Sequence, residues 1–106
     1  MSKRPSSAAP VFAALGDQTR LHLVSSLCDA GPQSITRLTS GCKVTRQAVT
    51  KHLRVMEKAG LVHCRRAGRE SVWQLELRAL EDARRYLAQI STQWDQALSR
   101  LRTFVE

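Results

Sequence analysis

Between Ala79 and Glu106 the chain contains neither glycine nor proline, and Leu80, Ala83, Leu87, Ile90, Trp94, Ala97, Leu101 and Phe104 recur at alternating spacings of three and four. That is the heptad pattern of a helix with one continuous apolar seam. A helix over the 27 residues from Leu80 to Glu106 spans about 40 Å at the usual rise per residue. A domain built from 106 residues does not cover such a length with its own core. Part of the seam needs a second surface, and a second copy related by two-fold symmetry is the economical one.

The remainder has the length of one modest core. Hydrophobic residues make up 42% and charged residues 25% of the chain, a globular balance. Residues 1–9 read as a flexible basic tail, 10–78 as the folded core and 79–106 as the C-terminal helix of the same domain. No stretch approaches the ~20 apolar residues of a membrane span, and MSKRPSSAAP lacks the apolar centre of a signal peptide. A cytoplasmic protein with no membrane partner is expected. Pro10 opens a short helix carrying Val11, Phe12 and Leu15, which Gly16 ends. Asp17 caps a second helix over about residues 18–29, with Leu21, Val24, Leu27 and Cys28 at helical spacing. Ser34 caps a third, carrying Ile35 and Leu38, and Thr45 starts a fourth.

The net charge of +8 is confined to one window. Residues 37–69 hold Arg37, Lys43, Arg46, Lys51, Arg54, Lys58, Arg65, Arg66 and Arg69 against Glu57 alone, and the bases and acids outside that window cancel. A localised positive field of this kind is the footprint of a nucleic-acid binder. The centre of the window, VTRQAVTKHLRVMEKAGLV, separates into two helical faces. On a wheel of ~100° per residue, Arg46, Glu57, Thr50, Arg54, Gln47, Lys58 and Lys51 occupy one arc; Val55, Ala48, Ala59, His52, Met56, Val49 and Leu53 occupy the other. His52, on the apolar arc, reads as a hydrogen-bonded packing residue rather than a metal ligand. Arginine at 46 or 54 suits guanine edges, Gln47 suits adenine, and Lys51 and Lys58 suit phosphate.

After Gly60 the period changes to alternation. Leu61–Arg65 and Ser71–Leu77 read as two strands, with Val62 and Cys64 on one face of the first and Trp73, Leu75 and Leu77 on one face of the second. Ala67-Gly68 supplies the turn of a hairpin with a basic tip. The predicted fold is therefore mainly α with a small β-hairpin, in the order α-α-α-α-β-β-α. Helix, turn, basic helix and basic hairpin together make a winged helix-turn-helix. No Gly-rich phosphate loop, catalytic triad or carboxylate pair appears in a motif, so no enzyme and no cofactor are expected. A nonspecific architectural or RNA-binding protein is the rival class; its stacking aromatics are missing from the basic helix, since Trp73, Tyr86 and Trp94 lie elsewhere.

Three stretches, ALGDQTRLHLV, VTRQAVTKHLRVMEKAGLV and RRAGRESVWQLE, resemble the ArsR (arsenic repressor) family of bacterial winged-helix transcriptional repressors, and the resemblance runs from about Val11 to Glu106. Gln18 stands where the family often has proline, and Trp73 where it often has tyrosine. The resemblance implies a homodimer held by the first and last helices, through Phe12 and Leu15 together with Leu87, Ile90, Trp94, Leu101 and Phe104. It implies an inverted-repeat double-stranded DNA operator, released on arrival of an inducer whose identity the sequence leaves open. It places Arg46, Gln47, Thr50, Lys51 and Arg54 on a recognition helix over 45–59, with Arg66 and Arg69 in a wing over 65–70.

The metal motifs of that family are missing. SITRLTSG carries no cysteine, and residues 79–106 carry neither histidine nor cysteine, so no metal is expected. The three cysteines, Cys28, Cys42 and Cys64, are odd in number and form no CxxC pair, which argues against a disulfide framework or zinc finger. Cys42 lies beside Lys43 and before the fourth helix, where a cation and a helix N-terminus lower a thiol pKa. A redox or thiophilic-metalloid sensor using Cys42 and Cys64 is thus the alternative to three inert thiols.

Overall fold

A computed structural model describes residues 8–105 and arranges five helices around a three-stranded antiparallel sheet. In chain order these are α1 (Ala8–Leu15), α2 (Gln18–Ala30), β1 (Gln33–Ser34), α3 (Ile35–Ser40), α4 (Arg46–Lys58), β2 (Val62–Ala67), β3 (Glu70–Leu75) and α5 (Leu77–Val105). The expected tail falls largely outside the described residues. Helix α1 is already formed at Ala8, two residues before Pro10. Proline is tolerated within a first turn, where backbone N–H groups have no intrahelical partner.

The helix starts follow the caps expected of them. Asp17, Ser34 and Thr45 each accept a hydrogen bond from the backbone N–H three residues on, at Arg20, Arg37 and Ala48. The end of α4 is closed by a Schellman motif. Leu61 N–H donates to the Met56 carbonyl at 2.9 Å and Gly60 N–H to the Glu57 carbonyl at 3.0 Å. Gly60 takes φ +81°, a left-handed conformation open to glycine at little cost. The motif also delivers Leu61 straight from the helix into the core, where it is fully buried.

That core centres on α4. Val49, Leu53 and Met56 have no exposed surface, and Leu23 of α2, Leu38 of α3, Val62 of β2 and Trp73 of β3 close around them. Burying side chains of this size contributes roughly 1.5–3 kcal/mol each. Val11 and Ala14 of α1 and Ala83 of α5 complete the cluster.

Several expectations need correction. Strand β1, which the sequence reading lacks, pairs Gln33 with Trp73 and Ser34 with Val72, giving the order β1-β3-β2. Two residues are too few for an alternation to be read. The buried Gln33 amide compensates by donating to the Ser26 carbonyl and hydroxyl, both at 3.0 Å. On α2 the buried pair is Leu23 and Leu27, while Leu21 and Cys28 are exposed. On α4, Val55 lies at the margin of the apolar arc and stays 45% exposed. Leu77 belongs to α5 rather than β3: Glu76 N–H makes a bond to Leu61 O, and its carbonyl then accepts from Leu80 to begin the helix. The hairpin turn is Gly68-Arg69, with Gly68 at φ +66°, as a type II′ turn requires at its first central residue.

Helix α5 projects. The radius of gyration is 17.0 Å and the longest dimension 59 Å, against about 13 Å for the radius of gyration of a compact domain of 100 residues. Only its first turns pack on the body, through Ala79, Leu80 and Ala83, and through Tyr86, whose ring lies 5.7 Å from that of Phe12 in α1.

One arginine ties three helices together. Arg20 of α2 donates through Nε to the Ala14 carbonyl at 2.6 Å and through Nη1 to His52 Nδ1 of α4 at 3.2 Å. Asp17 Oδ2 sits 3.8 Å from the same histidine nitrogen. The Arg20 backbone N–H, with help from His52 and the Arg20 side chain, holds the Asp17 carboxyl below its ordinary 3.8, against the opposing effect of desolvation. A depressed carboxyl pKa stabilises the fold above the unfolded-state value and loses that contribution as pH falls through the folded-state value. Asp17→Asn, which keeps a cap acceptor without the charge, is expected to unfold at lower urea than wild type near neutral pH. The two midpoints should converge as the pH is taken below about 4; a gap of constant size would contradict the assignment.

Candidate nucleic-acid interface

Because its apolar side is consumed by the core, α4 presents its other side to solvent. Arg46, Gln47, Lys51, Arg54 and Lys58 are exposed, and Thr50 is half-buried. This is the division that the helical wheel gives. Thr45, Gln47, Ala48, Thr50, Lys51 and Arg54 line one shallow groove, so four of the expected DNA-contacting side chains, Gln47, Thr50, Lys51 and Arg54, are brought together. The Thr50 hydroxyl donates to the Arg46 carbonyl at 2.9 Å, which occupies its proton and leaves its lone pairs as acceptors. Lys58 is separated from this group. It lies about 10 Å further along the helix axis than Lys51 and borders a different cleft, with Pro10, Ala13, Arg20 and Val55.

The cations fall into two classes. Three are anchored: Arg46 Nη1 donates to Thr36 Oγ1 of α3 at 3.4 Å, Arg54 Nη1 to Glu57 Oε1 at 3.0 Å, and Arg65 Nε to Gln74 Oε1 across the hairpin at 2.6 Å. Arg54 also places its guanidinium carbon 5.3 Å from the centroid of the Trp73 ring, within cation–π range. Lys51, Lys58, Arg66 and Arg69 make no ion pair or side-chain hydrogen bond among the described residues. Arg66 and Arg69 are exposed on the hairpin, where Arg66 pairs with Ser71 and Ala67 with Glu70 in the register closed by Gly68-Arg69.

The partners of these cations escaped the sequence reading. Thr36, Gln74, Glu57 as an anchor and Trp73 as a platform each depend on a cross-element contact that carries no local pattern. Arg20 was visible only as part of GDQTR, and its bond to His52 gives that motif a physical role in setting the angle of α4.

The residues expected at a dimer interface belong to α1 and α5, which pack together. Phe12 and Leu15 are half-buried beside the first part of α5. Leu87 is 51% exposed, Trp94 66%, Leu101 59% and Phe104 89%, with Ile90 half-buried. Leu98 and Val105, not singled out in the heptad, are exposed too and add to the stripe at i, i+4, i+7 and i+11 from Trp94.

The cysteines stand apart from one another in environment. Cys28 is exposed, whereas Cys42 and Cys64 are half-buried against the core. Burial raises the Cys42 thiol above its ordinary pKa, the direction opposite to that expected from Lys43 and the helix N-terminus.

A helix-turn-helix domain model matches residues 15–65. The HTH-type transcriptional regulator Rv2034 of Mycobacterium tuberculosis is 37% identical over 86 residues, covering 81% of this chain and 77% of that protein. An ArsR-like transcriptional regulator from Rhodococcus sp. RHA1 superposes with a TM-score of 0.74 at 35% identity, over 95% of this chain and 94% of that one. The homodimeric winged helix-turn-helix DNA-binding domain Mb0332 of Mycobacterium bovis superposes at 0.65 with 23% identity, over 94% and 93%, a likeness of fold.

The thiol environments order reactivity toward an aromatic disulfide. At neutral pH, where the thiolate is the attacking species, Cys28 is expected to be modified before Cys42, as read by mass spectrometry of partially labelled protein. Faster labelling of Cys42 would contradict the burial described.

Proposed function

Because the chain belongs to the ArsR-like family of winged helix-turn-helix transcriptional regulators, a family of DNA-binding regulators, we propose that it acts in the cytoplasm as a homodimeric repressor of an inverted-repeat operator. In this reading residues 10–78 bind DNA and residues 79–106 join the two copies. The observation that carries it is the division of α4: three fully buried apolar side chains on one side, and Gln47, Lys51 and Arg54 around a solvent-facing groove on the other. A helix so placed enters a major groove with base-reading side chains foremost. Arg46 and Arg54 suit guanine O6 and N7, Gln47 suits adenine N6 and N7, and Thr50, whose proton is held by the Arg46 carbonyl, serves as an acceptor. Lys51, Lys58, Arg66 and Arg69 serve as phosphate contacts, the last two from the wing.

In this reading dimerisation follows from α5 beyond its first turns. Leu87, Trp94, Leu101 and Phe104 expose an apolar stripe that a monomer leaves in water, and a two-fold axis along it pairs identical surfaces. The M. bovis domain of the same fold is a homodimer, which agrees with this arrangement. Two α4 helices related by such an axis read two half-sites of opposite orientation.

Two sets of variants test the assignment. Lys51→Ala and Arg66→Ala should each weaken binding to a duplex selected by the protein from a randomised pool, and each should reduce the slope of log K against log salt by about 0.9. Fluorescence anisotropy across a salt series measures both, and unchanged slopes would remove these residues from the interface. Leu101→Glu should convert a dimer to a folded monomer in sedimentation velocity and weaken binding to the selected duplex by at least about tenfold, through loss of the second half-site. A variant that stays dimeric would displace the interface from α5.

A further inference from the structure

Glu57 is the one acid among the nine bases of residues 37–69. A carboxylate there lowers the field that draws phosphate to the surface, so its placement calls for a local role. The structure supplies one: Glu57 accepts from Arg54 Nη1 at 3.0 Å, while the Arg54 guanidinium lies over the ring of Trp73. The two contacts come from different elements, the next turn of α4 and the central strand β3. Trp73 is 3% exposed and held on both sides, opposite Gln33 of β1 and Cys64 of β2. It is a fixed platform.

We propose that Glu57 and Trp73 are positioning residues for Arg54, which they convert from a general phosphate contact into a reader of a base edge. The proposal rests on the DNA-binding reading given above. Its physical basis is twofold. A guanidinium paired with a carboxylate at 3.0 Å presents little net charge at distances greater than the pair's own separation, and so adds little to phosphate attraction and counterion release. The same pairing engages Nη1 alone, out of five N–H donors. The donors left over sit on a side chain whose freedom is already reduced, and its planar fork matches guanine O6 and N7. Lys51, by contrast, has no such anchor among the described residues and is suited to phosphate of any sequence.

The test compares the full-length protein on two duplexes of equal length, one selected from a randomised pool and one of random sequence, across a salt series. Glu57→Gln keeps the hydrogen-bond acceptor and removes the charge. It should tighten random-duplex binding, steepen that salt slope by about 0.9 as one more cation becomes available, and lower the selected-to-random affinity ratio about tenfold, within what one bidentate base contact supplies. Trp73→Phe, with a weaker cation–π partner, should lower the ratio and leave the slope unchanged. In an Arg54→Ala background, Glu57→Gln should leave the ratio unchanged, because the field of a lone carboxylate acts on both duplexes alike. The proposal is overturned if Glu57→Gln leaves ratio and slope at wild-type values, or if it lowers the ratio equally without Arg54. A wild-type protein that binds both duplexes equally would instead remove the reading of a sequence-specific regulator, and this assignment with it.

Discussion

Val49, Leu53 and Met56, one face of α4, have no contact with solvent, and the rest of the molecule depends on keeping them so. Helices α2 and α3, the start of β2 and the tryptophan of β3 form the surface that receives them. Once that face is fixed, the opposite face has one orientation left, and every polar side chain on it is aimed by the same packing. The Schellman motif at Gly60 and the Thr45 cap limit the helix at both ends. Arg20 adds an angular restraint through His52. A DNA-reading helix needs this rigidity, because a small rotation about its axis moves a base-contacting side chain out of reach of its partner.

How much of this was legible in the sequence depended on whether the determinant was local. The division of α4 was readable because a 3.6-residue period imposes it on neighbours three and four apart, and His52 is hydrogen-bonded, to Arg20, as its place on the apolar arc suggests. The caps at Asp17, Ser34 and Thr45 were readable because a cap acts on the backbone three residues away. Strand β1 was not: Gln33 and Ser34 become a strand only through pairing with Trp73 and Val72, some 40 residues distant. The exposure of Leu21 and Cys28 and the burial of Leu23 were likewise set by where α4 and the sheet meet α2. Leu77 misled the alternation because the Glu76 carbonyl, at the end of β3, is also the first acceptor of α5. Within the interface, side-chain identity was visible, but the anchoring of Arg46, Arg54 and Arg65 required the tertiary structure.

The two ends of the chain's chemistry are coupled by geometry. Helix α1 packs on the first turns of α5 through Phe12 and Tyr86, and its Ala14 carbonyl accepts from Arg20, which in turn reaches α4. Contacts therefore run from the first turns of α5 through α1 and Arg20 to His52 of α4. In a two-fold assembly built on the apolar stripe of α5, these contacts set the spacing and inclination of two reading helices. The burial that raises the Cys42 thiol places it among the packing residues of the turn before α4.

The central claim, that two copies joined through α5 present two α4 helices to one duplex, is tested most directly by hydroxyl-radical footprinting on a selected duplex. The account predicts two equivalent protected patches of opposite orientation, centred about 34 Å or a whole number of helical turns apart. A single protected patch, or protection spread evenly along the duplex, would contradict it.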